Sequence, residues 1–210
     1  MGRGTIARLC FPLIQEHVRV VVCDAELRSV VMDGVETIDN AKRNEPIILS
    51  AIERRNIDAI VSVQHIWVLS QEVLDAVNQK AYNLHNAKLP EYGGYNTITH
   101  AILNGETEYW TTIHVMGKDV DVGDILYERA ITIDETDTAW SLYMKSVPVA
   151  VDNFKEFSEI LVSGRTLVGR PITGDVHFYK RIDADILRMG ADFKNDSRAH
   201  RAFSITQEEE

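Results

Sequence analysis

The sequence predicts an α/β fold: a Rossmann-like, mostly parallel open sheet with helices on both faces. Two observations carry this. In the first half of the chain, strand-like runs alternate with helix-like segments, and strict alternation implies right-handed βαβ units. The run "VRVVVCD" (Val18–Asp24) is almost continuously β-branched, as strands buried on both faces tend to be. With 210 residues and 45% hydrophobic content, the chain can bury one sizeable core.

The next element, "NEPIILSAIERRN", reads as a helix: Asn44 can cap it, Pro46 suits the first turn, and Ile47, Ile48, Ala51 and Ile52 share a face. "AIVSVQ" (Ala59–Gln64) is a strand, "SQEVLDAV" a short helix capped by Ser70, and "KAYNLH" another strand. "NTITHAILNG" follows as a helix with Asn96 as cap and Gly105 as stop. "YWTTIHVM" and "DILYERAIT" are strand-like. A long helix begins near Thr136–Asp137 and carries an apolar stripe of Trp140, Tyr143, Met144, Val147, Val151, Phe154, Phe157 and Leu161, read as core. Pro148 is expected to kink or break that helix, and Gly164 to close it. The chain thus divides into 1–163, a catalytic domain, and 164–210, a small C-terminal segment for substrate binding or an interface, ending in a solvated "QEEE".

Bulk properties exclude several classes. A formal charge of −10 and a pI near 5.2 argue against a nucleic-acid binder that depends on counterion release. Cys10 and Cys23 form neither a C-x-x-C pair nor a disulfide framework, which points to a reducing cytoplasm. No apolar run has membrane-spanning length, and the scattered histidines form no metal-ligand cluster.

"YNLHNAKLPEYGG" (Tyr82–Gly94) is the stretch with chemistry in it. On a strand Asn83 and His85 point the same way, at the carboxyl end where open α/β sheets bind ligands. "DVDVGDIL" offers Asp119, Asp121 and Asp124 in a turn that could bring a carboxylate to the same crevice. A carboxylate fixes an imidazole's tautomer and raises its pKa, and an amide can donate to a developing oxyanion. The set suits nucleophilic addition to a carbonyl, with the nucleophile supplied by substrate; a structural polar network explains the same residues equally well.

"GRGTIA" (Gly2–Ala7), with Asp24 further on, has the layout of a dinucleotide fingerprint, which alone would read as an NAD-dependent oxidoreductase. That fingerprint needs a preceding strand, and only Met1 stands before it.

"NLHNAKLPEYGG", "HAILNGE", "TTIHVM" and "VDVGDIL", in that order over Ala59–Thr132, closely resemble the 10-formyltetrahydrofolate-dependent formyltransferases. The resemblance implies that Asn83 holds the formyl oxygen, His85 is general acid or base, and Asp121, preceding x-Gly, orients His85. It implies pterin contacts at Trp67, Val68, Leu69 and Val120, a folate co-substrate, and no metal. His114 is expected to be a packed, hydrogen-bonded histidine. Because the family opens with a strand, that first strand is expected to be missing here, and a chain extended to include it to melt higher. "AKLP" and "EYGG" depart from the family's loop. The tail "GDVHFYKRID" and "HRAFSI" resembles that of nucleotide-sugar N-formyltransferases, so the expected acceptor is an amino deoxysugar on a nucleotide; a glycinamide-ribonucleotide-type enzyme and a non-catalytic folate- or nucleotide-binding relative are the alternatives. The partners implied are small molecules, with no nucleic acid or membrane, and a homodimer is compatible.

Overall fold

The computed structural model describes residues 1–192 and 195–204. Its strands are β1 (Val20–Cys23), β2 (Glu36–Asp39), β3 (Ile60–Val63), β4 (Ala81–His85), β5 (Gly93–Gly94), β6 (Glu108–Val115), β7 (Ile125–Thr132) and β8 (Phe178–Tyr179). Its α-helices are α1 (Gly4–Cys10), α2 (Ala25–Arg28), α3 (Glu45–Arg55), α4 (Gln71–Ala76), α5 (Thr97–Asn104), α6 (Ala139–Val162), α7 (Arg181–Gly190) and α8 (Ser197–Ala202). None of the described helices is long and apolar enough to cross a membrane.

Strand β1 pairs in parallel with β2, and β3 with β4; β6 then joins β4 antiparallel, and β7 joins β6 antiparallel. The two parallel pairs meet through Met1–Arg3. Gly2 bridges in parallel to Cys23 of β1 and Val63 of β3. Its N–H donates to Val22 O at 2.9 Å, while Val63 N–H donates to Met1 O at 2.9 Å. The sheet order is therefore β2, β1, Met1–Arg3, β3, β4, β6, β7. Where the expected first strand would run, the structure has this short stub. A side chain at Gly2 does not fit: a Cβ would lie 2.9 Å from Val63 O and 2.8 Å from Ala7 Cβ. In line with Met1, a slot of about 820 Å³ opens between β1 and β3, walled by Val20, Val22, Val61, Ile52 and Phe154.

Two buried clusters flank the sheet. Ile6, Cys10, Phe11, Phe154 and Phe157 pack on one face, and Ile48, Ile52, Leu69, Val73, Leu74 and Val77 on the other. Helix α6 starts in a capping box: Ser141 N–H donates to Thr138 Oγ1 at 3.1 Å and Thr138 N–H to Ser141 Oγ at 3.0 Å. It continues past Pro148 without the expected break. Proline removes one N–H, and buried Leu142, Val147, Ala150 and Phe154 hold both halves to the sheet. The stripe is not uniformly core either. Met144 is exposed, and Trp140 and Tyr143 border a cavity. Neither Asn44 nor Asn96 makes the expected cap bond; Asn44 Nδ2 donates to Asp39 O instead.

After α6 the chain returns over the carboxyl end of the sheet. Strand β8 pairs in parallel with β5, and α8 buries Ala199 and Ala202 beside α5. The terminal "QEEE" lies outside the described residues.

Candidate active site

Strand registers build the site. Asn83 on β4 is opposite Ser62 on β3 and opposite His114 on β6. One polar row therefore crosses three strands. Ser62 Oγ donates to Asn83 Oδ1 at 2.8 Å, and Asn83 Nδ2 lies 3.2 Å from His114 Nε2. His114 Nδ1 is 2.9 Å from Val115 O. A carbonyl only accepts, so Nδ1 carries the proton, and in the neutral ring Nε2 accepts from Asn83. The same Nε2 is 3.3 Å from Asp121 Oδ1, so a second proton there would make a charge-assisted bond to the carboxylate.

His85 lies two residues along β4, and its Nε2 is 2.7 Å from Tyr92 O. The same logic puts its proton on Nε2 and leaves Nδ1 with a lone pair. That Nδ1 is 3.7 Å from Asp121 Oδ2, long for a hydrogen bond but within ion-pair distance if the ring carries a second proton.

Of the three acids in the turn, Asp119 and Asp124 are exposed and Asp121 is buried. The chain turns sharply there, with Asp121 at φ 58°. Two residues on, the backbone runs so close to β6 that a Cβ on Gly123 would lie 1.8 Å from Val115 O. Asp121 Oδ2 also accepts from Gly94 N–H at 2.9 Å. Burial pushes the carboxyl up, but the His85 charge, the bond from His114 and its charge, and the Gly94 N–H outweigh it, holding the group well below the usual carboxylate range. The structure thus joins Asn83, His85 and Asp121, with the carboxylate between two imidazoles.

The positions expected to hold the pterin are spread over two connections. Trp67 Nε1 donates to Asn40 Oδ1 at 2.9 Å, Val68 is exposed, and Leu69 is buried against α4 residues. Val120 is half-buried beside Asp121. At the same end of the sheet a cavity of about 530 Å³ is lined by Arg3, Gly4, Thr5, Asp24, Glu26, Gln64, Trp140 and Tyr143. Asp24, the acid of the apparent dinucleotide fingerprint, caps α2 by accepting from Leu27 N–H at 2.9 Å.

Ser62 and His114 are part of the polar row but were not singled out by sequence as site residues. His114 is packed and hydrogen-bonded as expected, yet its partners are Asn83 and Asp121. The signal that finds it is strand register.

The formyl transferase family model matches residues 14–153. Three solved structures share the fold. An N-formyltransferase from Helicobacter canadensis, in complex with folinic acid and dTDP-3-aminofucose, is 21% identical at a TM-score of 0.80, covering 97% of this chain and 79% of that one. A sugar N-formyltransferase from Shewanella is 17% identical at a TM-score of 0.73, covering 98% and 87%. Glycinamide ribonucleotide transformylase 1 from Symbiobacterium toebii is 18% identical at a TM-score of 0.69, covering 82% and 93%.

Proposed function

The chain belongs to the formyl transferase family, and from that premise we propose that it moves a formyl group from 10-formyltetrahydrofolate to the amino group of a nucleotide-linked amino deoxysugar. The observation that carries this reading is the junction of Asn83, His85 and Asp121 at the carboxyl end of β4.

The acceptor amine attacks the formyl carbon and forms a C–N bond. Charge then collects on the formyl oxygen, where the Asn83 amide is placed to donate. His85 Nδ1 takes the proton that the amine loses. The resulting imidazolium is stabilised by Asp121 and returns the proton to the departing folate nitrogen as its bond to carbon breaks. Tyr92 O fixes the tautomer that leaves Nδ1 free for this transfer. Trp67, Val68, Leu69 and Val120 are the positions we assign to the pterin.

Two observations favour the sugar nucleotide over glycinamide ribonucleotide. Residues beyond α6 build part of the site, since β8 pairs with the Gly93–Gly94 backbone. Likeness to the two sugar enzymes spans 97% and 98% of the chain, against 82% for the purine-pathway enzyme. The cavity by Arg3, Trp140 and Tyr143 combines a cation with an aromatic pair, as a nucleotide needs, and Asp24 and Glu26 on its wall can meet sugar hydroxyls. The test is formyl transfer to a panel of amines, read by product mass. A formylated sugar nucleotide is the expected product, and formylated glycinamide ribonucleotide would replace this acceptor assignment. His85→Asn and Asp121→Asn should each lower kcat by ~10²–10⁴-fold with the fold intact; variants that keep most of the activity would remove these residues from the chemistry.

A further inference from the structure

The loop that follows β4 has two edges. Facing the site, Tyr92 O holds His85 Nε2 at 2.7 Å and Gly94 N–H holds Asp121 Oδ2 at 2.9 Å. Facing away, Gly93 N–H donates to His177 O and Tyr95 N–H to Tyr179 O, each at 2.9 Å, and Pro90 O accepts from His177 N–H at 2.9 Å. Extended backbone alternates its hydrogen-bonding groups between two sides, so a single short segment serves both. Its outer side is bound entirely by the strap around β8, contributed from beyond α6.

We propose that this strap belongs to the catalytic apparatus as a positioning element: by pairing with Gly93–Gly94 it fixes the two backbone groups that set the tautomer of His85 and the place of Asp121. The proposal rests on the catalytic roles assigned above. Side-chain packing reinforces the clamp. Tyr179 stacks on Tyr92 with ring centroids 5.5 Å apart and on His100 at 3.9 Å. The contact has no slack. A Cβ on Gly94 would lie 2.3 Å from Tyr179 O at a φ of +88°, which L side chains rarely adopt. A Cβ on Gly93 would lie 2.6 Å from Val176 Cγ1, and that neighbour is a side chain that can be trimmed.

This asymmetry supplies the experiment. Gly93→Ala should wedge the strap off the loop through Val176, and Gly93→Ala with Val176→Ala should let it back. Misplacing a reacting group by about 1 Å costs on the order of 10²-fold. We therefore expect Gly93→Ala to lose roughly ten- to a hundred-fold in kcat with little change in KM. The ring 15N shifts of His85, followed by NMR, should move from the Nε2–H tautomer toward a mixture of tautomers as Tyr92 O loses its hold. The double variant should recover both. If Gly93→Ala keeps the parent kcat and the parent His85 ring shifts, or the double variant recovers neither, the strap is only structural. His85→Asn in the same assay keeps the two questions apart. Full activity there would overturn the catalytic assignment itself, whereas an inactive His85→Asn beside a fully active Gly93→Ala overturns only the role of the strap.

Discussion

The ring nitrogens of His85 and His114 have different neighbours. His114 is 2% exposed and bonded at both nitrogens, to Asn83 and Val115 O; His85 is 11% exposed and makes no hydrogen bond through Nδ1. The sequence brings out Asn83 and His85 by their i, i+2 spacing, but of Asp119, Asp121 and Asp124 it selects Asp121 only through the resemblance to the formyltransferases. It did not assign Ser62 and His114 to the site, because their membership depends on which residue faces Asn83 across the sheet. Acid stability is also argued residue by residue. His65 has both ring nitrogens buried without a hydrogen-bond partner, and burial lowers its pKa to about 3. The unfolded state then holds the extra proton as pH falls from ~6.5 toward 3, so His65 makes the fold less stable through that window. Asp121 acts in the same direction: its depressed carboxyl stabilises the fold above about pH 4, and that stability is lost as acid protonates it. His65→Phe should melt less steeply with acid between pH 6.5 and 4 than the parent, measured by thermal denaturation across pH; parallel curves would assign the acid sensitivity elsewhere.

Long periodic elements could be read directly. Helix α6 and strand β1 fall where the apolar stripe and the β-branched run put them, give or take two or three residues at the ends. Strand β8 has two residues and no period at all, so pairing with β5 could not be foreseen. Nor could the survival of α6 through Pro148, which depends on core contacts on either side. The start of that helix is a hub. Asp137 accepts from Ser141 Oγ at 2.7 Å and pairs with Lys145 Nζ at 2.6 Å, while Thr138 and Ser141 cap each other. Thr138→Ala should cost about 1 kcal/mol, read from urea denaturation at constant slope. A loss under a few tenths would mean that Asp137 and Ser141 hold the terminus alone.

At the level of the whole molecule, the alternation of elements fixed the α/β class, and the carboxyl-end rule pointed to the end of β4, where Asn83, His85 and Asp121 meet. The order of the sheet was less accessible. The β6–β7 hairpin turns back at 116–124, too short a connection for a helical crossover, and so closes a parallel sheet with an antiparallel edge. The narrow middle of the sheet, where only Met1–Arg3 join β1 to β3, has a consequence for reagents. The chain's two thiols both lie there: Cys10 lines the slot and Cys23 bridges to Gly2, each 1% exposed, with burial pushing both above the normal thiol range. A thiolate-selective dye should therefore be shut out until the two halves part, so that its uptake near pH 8 ticks with their opening and quickens in dilute urea. Immediate uptake by the untreated protein would reveal a seam that already admits solvent.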